Sequence, residues 1–493
     1  MAGSDVAGSG TAGSGTAGSG ATPSRSAAAR ARPPGAPLWY ARPAGRGWSC
    51  APAPADAREF HAALSDYAPT RLVELPSLAA ELGVRRVFVK DESSRFGLPA
   101  FKALGASWAL HRVLAERAAA SAADGQGTGR RVAAQSGTGI GGGSETRAGV
   151  GIGAAAGEPV TFVTATDGNH GRAVARIARL LGQRAHVFVS QGVHPEAVVA
   201  IAAEGARVTR VAGPYDQAVR EASETAGAAA VPETAPAAVA AGPAGGDGGA
   251  NATGGANAAG GVGPDCGMAG AVGVGGGASR SVLVQDSGRP GYERIPGWIV
   301  EGYSTLFTEI DAQLSAAGAD GPDLVAVPVG VGSLAQAAVT HYRARPVDGA
   351  ASRNPPAGAA ACALLAVEPE AAACVLESLL QGERASIETG HTAMAGLNCG
   401  TPSSLAWPLL RDGLDAAVAI TEAESARAAR DLAALGVSSG PCGAASLAGV
   451  RAALTGEGAA DRRTALAIGP LATLVLLNTE GAAANPHGPQ LGT

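Results

Sequence analysis

Between residues 158 and 211 two kinds of segment alternate. PVTFVTA, RAHVFVS and ARVTRVA are short apolar runs of strand length. Between the first two, residues 169–182 place Val174, Ile177 and Leu181 on one helical side; residues 195–204 carry a second helical pattern. A strand followed by a helix and another strand, repeated, is the rhythm of parallel β-α-β units. Residues 215–229 extend it by one more helix.

The rhythm resumes after a long interruption. WIVEGYSTLFTEIDAQL (298–314) reads as an amphipathic helix and DLVAVPV (323–329) as a buried strand. CALLAVEP (362–369) is a further strand. Residues 371–380 and 422–435 read as helices, and ALAIG and LVLLNTEG near 465–481 supply closing strand material. Upstream, VRRVFVKDES reads as a strand and residues 101–118 as a helix.

Composition separates these elements from the rest of the chain. Of 493 residues, 73 are Gly and only 4% are aromatic. Residues 1–36 repeat GSGTA. Ordering such a segment costs about 1–2 kcal/mol per residue with little apolar burial to offset it, so disorder is expected. Residues 119–157 and 236–280 are Gly/Ala-rich and are expected to be flexible insertions. The net charge is −5 with 16% charged residues, which builds no surface for a nucleic acid. No apolar run reaches membrane-spanning length, and no secretory signal opens the chain, so a cytoplasmic location is expected. The six cysteines form no CxxC pair and do not cluster with histidines at metal-ligand spacing; free thiols and no metal site are expected.

Three junctions carry chemistry. KDESSRFGLPAFKALGA (90–106) runs from a strand through a charged turn to a helix that begins at Lys102. Desolvation at such a place makes a neutral amine accessible, and that amine can bond to a carbonyl. Thr166, Asp167, Gly168, Asn169, His170 and Gly171 form a second strand-to-helix turn, in which Asn169 can touch a cofactor hydroxyl and Asp167 can act as acid or base. GVGS, comprising Gly330, Val331, Gly332 and Ser333, follows the strand 323–329 and precedes a helix. Backbone N–H groups there can bind a phosphate. Neither GxGxxG at the first strand–helix junction nor GxxxxGK[ST] occurs, which disfavours a dinucleotide fold and a P-loop ATPase.

These segments resemble the fold-type II pyridoxal-phosphate enzymes, the tryptophan synthase β superfamily, and within it the diaminopropionate ammonia-lyases. The resemblance rests on KDESSRFGLPAFKALGAS (90–107), TATDGNHGRAVA (164–175), VLVQDSGRPGYERIPGWIVEGYSTLFTEI (282–310), VPVGVGSLA (327–335), VEPE (367–370), TAMAGLNCGTPSSLAW (392–407) and LLNTEG (476–481). It implies two open α/β domains with mostly parallel sheets and a pyridoxal 5′-phosphate in the cleft between them. The large domain would comprise residues 37–115 and 281–493, and the small one 158–235.

Residue by residue, the resemblance implies that Lys102 holds the cofactor covalently and that Asn169 faces its 3-hydroxyl. Gly330, Val331, Gly332 and Ser333 would cradle its phosphate, with Thr479, or Asn478 beside it, near the ring nitrogen. Asp167 would act on the D-isomer of the substrate and Asp286 would read the substrate's amino group. The implied reaction is α-proton abstraction and β-elimination on 2,3-diaminopropionate, giving pyruvate and ammonia in a homodimer with a small amino-acid substrate.

The chain departs from the family beside Asp286. Ser287, Gly288, Arg289, Pro290, Gly291 and Tyr292 replace a TAWEGY-like stretch, and Pro99 stands where Asn is common. This leaves a second reading: β-elimination or β-replacement on serine, threonine or another amino acid, with Arg289 binding a carboxylate. Cys399 and Cys442 read as packed or lining residues, and Glu368 as a support of local strand geometry.

Overall fold

The computed structural model describes residues 37–64, 66–125, 159–166, 168–213, 215–227, 281–344 and 362–484. The expected N-terminal disorder and nearly all of both expected insertions lie outside these residues. The first residues of the earlier insertion, 119–125, continue the helix Ala103–Gly125.

Among the described residues eleven strands make two sheets. In chain order they are β1 (Leu38–Ala41), β2 (Arg71–Glu74), β3 (Arg86–Asp91), β4 (Thr161–Thr166), β5 (Arg184–Ser190), β6 (Arg207–Val211), β7 (Ser281–Leu283), β8 (Leu324–Pro328), β9 (Ala363–Pro369), β10 (Ala416–Ile420) and β11 (Thr473–Asn478). The larger sheet runs β1-β10-β9-β8-β11-β3-β2, and the smaller runs β6-β5-β4-β7. All pairings in the smaller sheet are parallel. In the larger sheet only the edge strands β1 and β2 pair antiparallel with their neighbours. Two α/β domains with mostly parallel sheets are therefore present, as the family resemblance implies, and the parallel units are those of the β-α-β rhythm.

Two details differ from expectation. The residues from 281, expected in the large domain, begin with β7, which pairs with β4 in the smaller sheet. ALAIG is not a strand. Its first residues end the helix Ala459–Leu466, and Ala467 terminates that helix in a left-handed conformation at φ 56°.

The core explains why the strands read as unbroken apolar runs. One buried cluster takes Phe88, Val325, Val327 and Leu364 from one face of the larger sheet. It continues through Leu104, Trp108, Ile299 and Phe307 on the helices Ala103–Gly125 and Arg294–Ala316 to Phe162 and Val187 of the smaller sheet. The opposite face of the larger sheet, with Val87, Val89, Leu324 and Leu474, packs under Leu447 and Val450 of the helix Pro441–Leu454. Both faces being covered, alternation disappears. Each such Leu, Val or Phe contributes about 1.5–3 kcal/mol by leaving water.

The two central helices cross unusually closely. A Cβ on Gly302 would lie 2.5 Å from the carbonyl oxygen of Leu104, and one on Gly105 would lie 2.6 Å from Ile299 Cγ2. Only glycine permits that approach, and it fixes the start of the helix that follows Lys102. Among the described residues no helix is long and apolar enough to cross a membrane.

Candidate active site

The KDESSR turn is held by buried charges. Arg95 donates to Glu92 and to both carboxylate oxygens of Glu309, and Lys90 Nζ donates to Glu309 Oε2 at 2.6 Å. Glu309 lies on the helix Arg294–Ala316. Removing one partner from such a buried network leaves an uncompensated charge, so the turn is rigid. Beyond it, Phe101 N donates to Thr479 O at 3.2 Å, and Ala100 bridges Glu480 in antiparallel fashion. The chain is thus clipped to the end of β11 one residue before Lys102.

Lys102 Nζ donates to Asp286 Oδ2 at 2.6 Å. Burial works against the charge on Lys102, but the Asp286 carboxylate outweighs it and lifts the lysine pKa above its ordinary value. Burial likewise opposes the charge on Asp286, yet Lys102 holds its carboxyl below the usual range. The expected neutral amine is therefore not the resting form of the unbound site. Desolvation acts in the expected direction, but the ion pair is stronger.

Asp286 follows β7, and its turn is tied down on two sides. Ser333 Oγ donates to the Asp286 carbonyl at 2.9 Å. Gln285 N donates to Tyr292 Oη, which itself donates to Leu283 O. His170 Nε2 lies 2.9 Å from Val284 O. A carbonyl only accepts, so Nε2 carries the proton. Burial holds the His170 pKa below its ordinary value, so the ring is neutral and Nδ1 is an acceptor. That atom is buried without a hydrogen-bond partner among the described residues, 3.9 Å from Asp286 Oδ2.

Asn169 opens the helix Asn169–Leu180 after β4, with Gly168 at φ 150° before it. Its Nδ2 donates to Glu480 Oε2 at 2.6 Å. Thr166 Oγ1 accepts from the N–H groups of Gly168 and Gly171 and so shapes the turn. Asp167 lies outside the described residues.

The GVGS turn connects β8 to the helix Ser333–Tyr342, with Gly332 in a left-handed conformation at φ 98°. A Cβ on Gly330 would sit 2.9 Å from Gly396 O and 3.0 Å from Cys399 Sγ. Ser403 N donates to Val331 O at 2.9 Å. The first N–H groups of a helix have no partner within it and present a positive end to an anion.

Thr479 is buried at the end of β11, next to Glu480. Asn478, the other candidate for the ring nitrogen, spends its amide nitrogen on Asp91 Oδ1 and Ser438 O, tying β11 to its neighbours. Arg289 is exposed, donates to Ser223 Oγ at 3.1 Å and lies over the Tyr292 ring, so its contacts do not include the Lys102–Asp286 pair. Glu368 accepts from Val375 N and Leu376 N and so starts the helix Cys374–Gln381, the supporting role its strand position suggests.

Tyr303 and Glu480 were not singled out in the sequence. Tyr303 is fully buried, packs its ring tilted against Phe101 with centroids 4.8 Å apart, and feels the charges of Lys102 and Asp286. In sequence it is one apolar position of a helix; its spacing from Lys102 carries no signal.

A lysine for an aldehyde, a tight glycine turn at a helix start for a phosphate, and an amide beside them fit pyridoxal phosphate. Adding any side chain at Gly330 would fill that turn. Fold and site together fit the class of pyridoxal-phosphate-dependent enzymes. The family model for pyridoxal-phosphate dependent enzymes matches residues 64–279 and 280–468. Diaminopropionate ammonia-lyase of Escherichia coli (strain K12) is 30% identical over 357 residues, 72% of this chain and 69% of the relative. The corresponding protein of Salmonella typhimurium is 29% identical over 382 residues, covering 75% of this chain and 73% of that one. The crystal structure of the Escherichia coli enzyme in complex with D-serine superposes with a TM-score of 0.63 at 27% identity, covering 87% of this chain and 89% of that chain. The chain belongs to the pyridoxal-phosphate-dependent enzymes, and within them it groups with the diaminopropionate ammonia-lyases.

Proposed function

We propose that the chain eliminates ammonia from 2,3-diaminopropionate, and that the resulting three-carbon product hydrolyses to pyruvate and a second ammonia. One observation carries the choice of substrate: Asp286 already receives an ammonium, that of Lys102, at 2.6 Å. When Lys102 is committed to the cofactor, that carboxylate loses its cation, and a substrate bearing a second amino group supplies one. Serine and threonine offer a hydroxyl there and leave a part-buried charge without its counterion.

Bound pyridoxal phosphate supplies a carbonyl for the substrate amine and a sink for the electrons left at Cα. In this reading the N–H groups of the loop 330–333 hold the phosphate, Asn169 faces the ring's 3-oxygen, and Thr479 stands at the ring nitrogen. Lys102, released when the substrate amine takes its place, accepts the α-proton from one face; Asp167 serves the opposite face for the D-isomer. The departing amine must leave protonated, and Asp286 keeps it so by stabilising its ammonium form. A cytoplasmic homodimer with a large domain of residues 37–115 and 284–493 is part of the proposal.

Pyruvate release from L- and D-2,3-diaminopropionate, L-serine and L-threonine tests the reading. A diamine is expected to exceed both hydroxy-amino acids in kcat/KM by about ten-fold or more, the value of one buried charge-assisted contact. Faster turnover of serine or threonine would overturn it.

A further inference from the structure

Glu480 has no place in the chemistry so far, yet it is only 3% exposed and lies against the site. Both its carboxylate oxygens are used. Oε2 accepts from Asn169 Nδ2 at 2.6 Å, and Oε1 accepts from Cys442 N at 3.0 Å, at the start of the helix Pro441–Leu454. Its backbone is fixed as well, since Gly440 N donates to its carbonyl and its residue bridges Ala100. A Cβ on Gly440 would lie 2.8 Å from Oε1, so the small SSGPCG segment makes room for the carboxylate.

Among the described residues no lysine or arginine forms an ion pair with Glu480. A buried carboxylate balanced only by hydrogen bonds is costly and needs a reason. Burial raises its pKa, against the hydrogen bonds from Cys442 and Asn169 and the nearby charge of Lys102.

We propose that Glu480 is a positioning residue that fixes the Asn169 amide in the orientation the cofactor needs. The proposal rests on the reading in which Asn169 faces the ring's 3-oxygen. Both Glu480 oxygens accept, Oε1 from Cys442 N and Oε2 from Asn169, so the carboxylate faces Nδ2 and not Oδ1. With one N–H of that amide held by Glu480, the second N–H is left to point at the ring oxygen. Without the carboxylate the amide is free to turn over and present its own oxygen, which repels an oxygen anion. Glu480 comes from β11's end in the larger domain and Asn169 from the smaller, so the contact also joins the two.

The test uses the full-length enzyme loaded with pyridoxal phosphate, as wild type, Glu480→Gln, Asn169→Ala and the double variant. Two readouts are the dissociation constant for pyridoxal phosphate and the position of its visible absorption band. Glu480→Gln is expected to weaken binding on the order of ten-fold and to move the band; the double variant should lose little more than Asn169→Ala alone. An unmoved band in Glu480→Gln, or losses that simply add, would overturn the proposal while leaving the parent reading intact. A band unmoved by Asn169→Ala removes the parent reading, and this proposal with it. If Glu480→Gln does not fold, Glu480→Asp takes its place: a shift in the same direction supports the proposal and an unmoved band overturns it.

Discussion

Lys102 Nζ and Asp286 Oδ2 are 2.6 Å apart, across 184 residues of sequence. The pair keeps the unbound lysine charged, whereas attack on an aldehyde requires the neutral amine. Asp286→Asn removes the opposing charge, so the lysine pKa falls and the neutral fraction at pH 7 rises. Cofactor-free Asp286→Asn is expected to take up pyridoxal phosphate faster than wild type at neutral pH, with uptake levelling off at lower pH. Its turnover of the diamine should nonetheless drop by about a hundred-fold or more, as removal of a positioned charged group does. Stopped-flow absorbance across pH, together with pyruvate assays, reads both.

The glycine turn makes a prediction about binding. In Gly330→Ala the new methyl meets Gly396 O and Cys399 Sγ at about 3 Å. The turn must open, and affinity for pyridoxal phosphate is expected to fall about ten-fold or more, with a smaller loss of stability. Equilibrium dialysis beside a thermal melt of the cofactor-free protein separates the two.

The helix crossing makes one about stability. Gly302→Ala places a methyl 2.5 Å from Leu104 O, a backbone atom that cannot turn aside. A loss of about 1–3 kcal/mol is expected by urea unfolding, typical of overpacking.

Acid behaviour should report Glu204. Hydrogen bonds from Arg176 lead the effects that pull its pKa down to about 2, with Arg179 and Arg172 adding theirs against burial. Its folded pKa lies below the unfolded value, so its stabilisation is complete above about pH 4.5 and is lost as pH falls through about 2. Glu204→Gln should therefore destabilise the protein at pH 7 by about 1–3 kcal/mol, with the difference from wild type shrinking toward pH 2. Urea titrations at several pH values check the sign.

What was legible in the sequence follows from where signals are local. The lysine, asparagine and glycine-turn motifs each sit where a strand feeds a helix, and each carries its own residue pattern. Strand β10 was missed because AAVAI is short and three of its five residues are Ala, and it is recognised only by its pairing with β9. The edge strand β1 was missed because its four residues, LWYA, are too few to show a period. ALAIG looked like a strand because its apolar residues end a helix under the core. Glu480 was passed over because its partner Asn169 is 311 residues away and nothing near NTEG points to it. The basicity of Lys102 was misjudged because burial is visible in the sequence and the ion pair with Asp286 is not.

The central claim is that Lys102 is the amine that holds the cofactor. Borohydride reduction of the loaded enzyme, followed by proteolysis and mass spectrometry, tests it most directly. A phosphopyridoxyl group is expected on the peptide carrying Lys102, and none in Lys102→Ala. An unlabelled Lys102, or a label that settles on Lys90 instead, would contradict it.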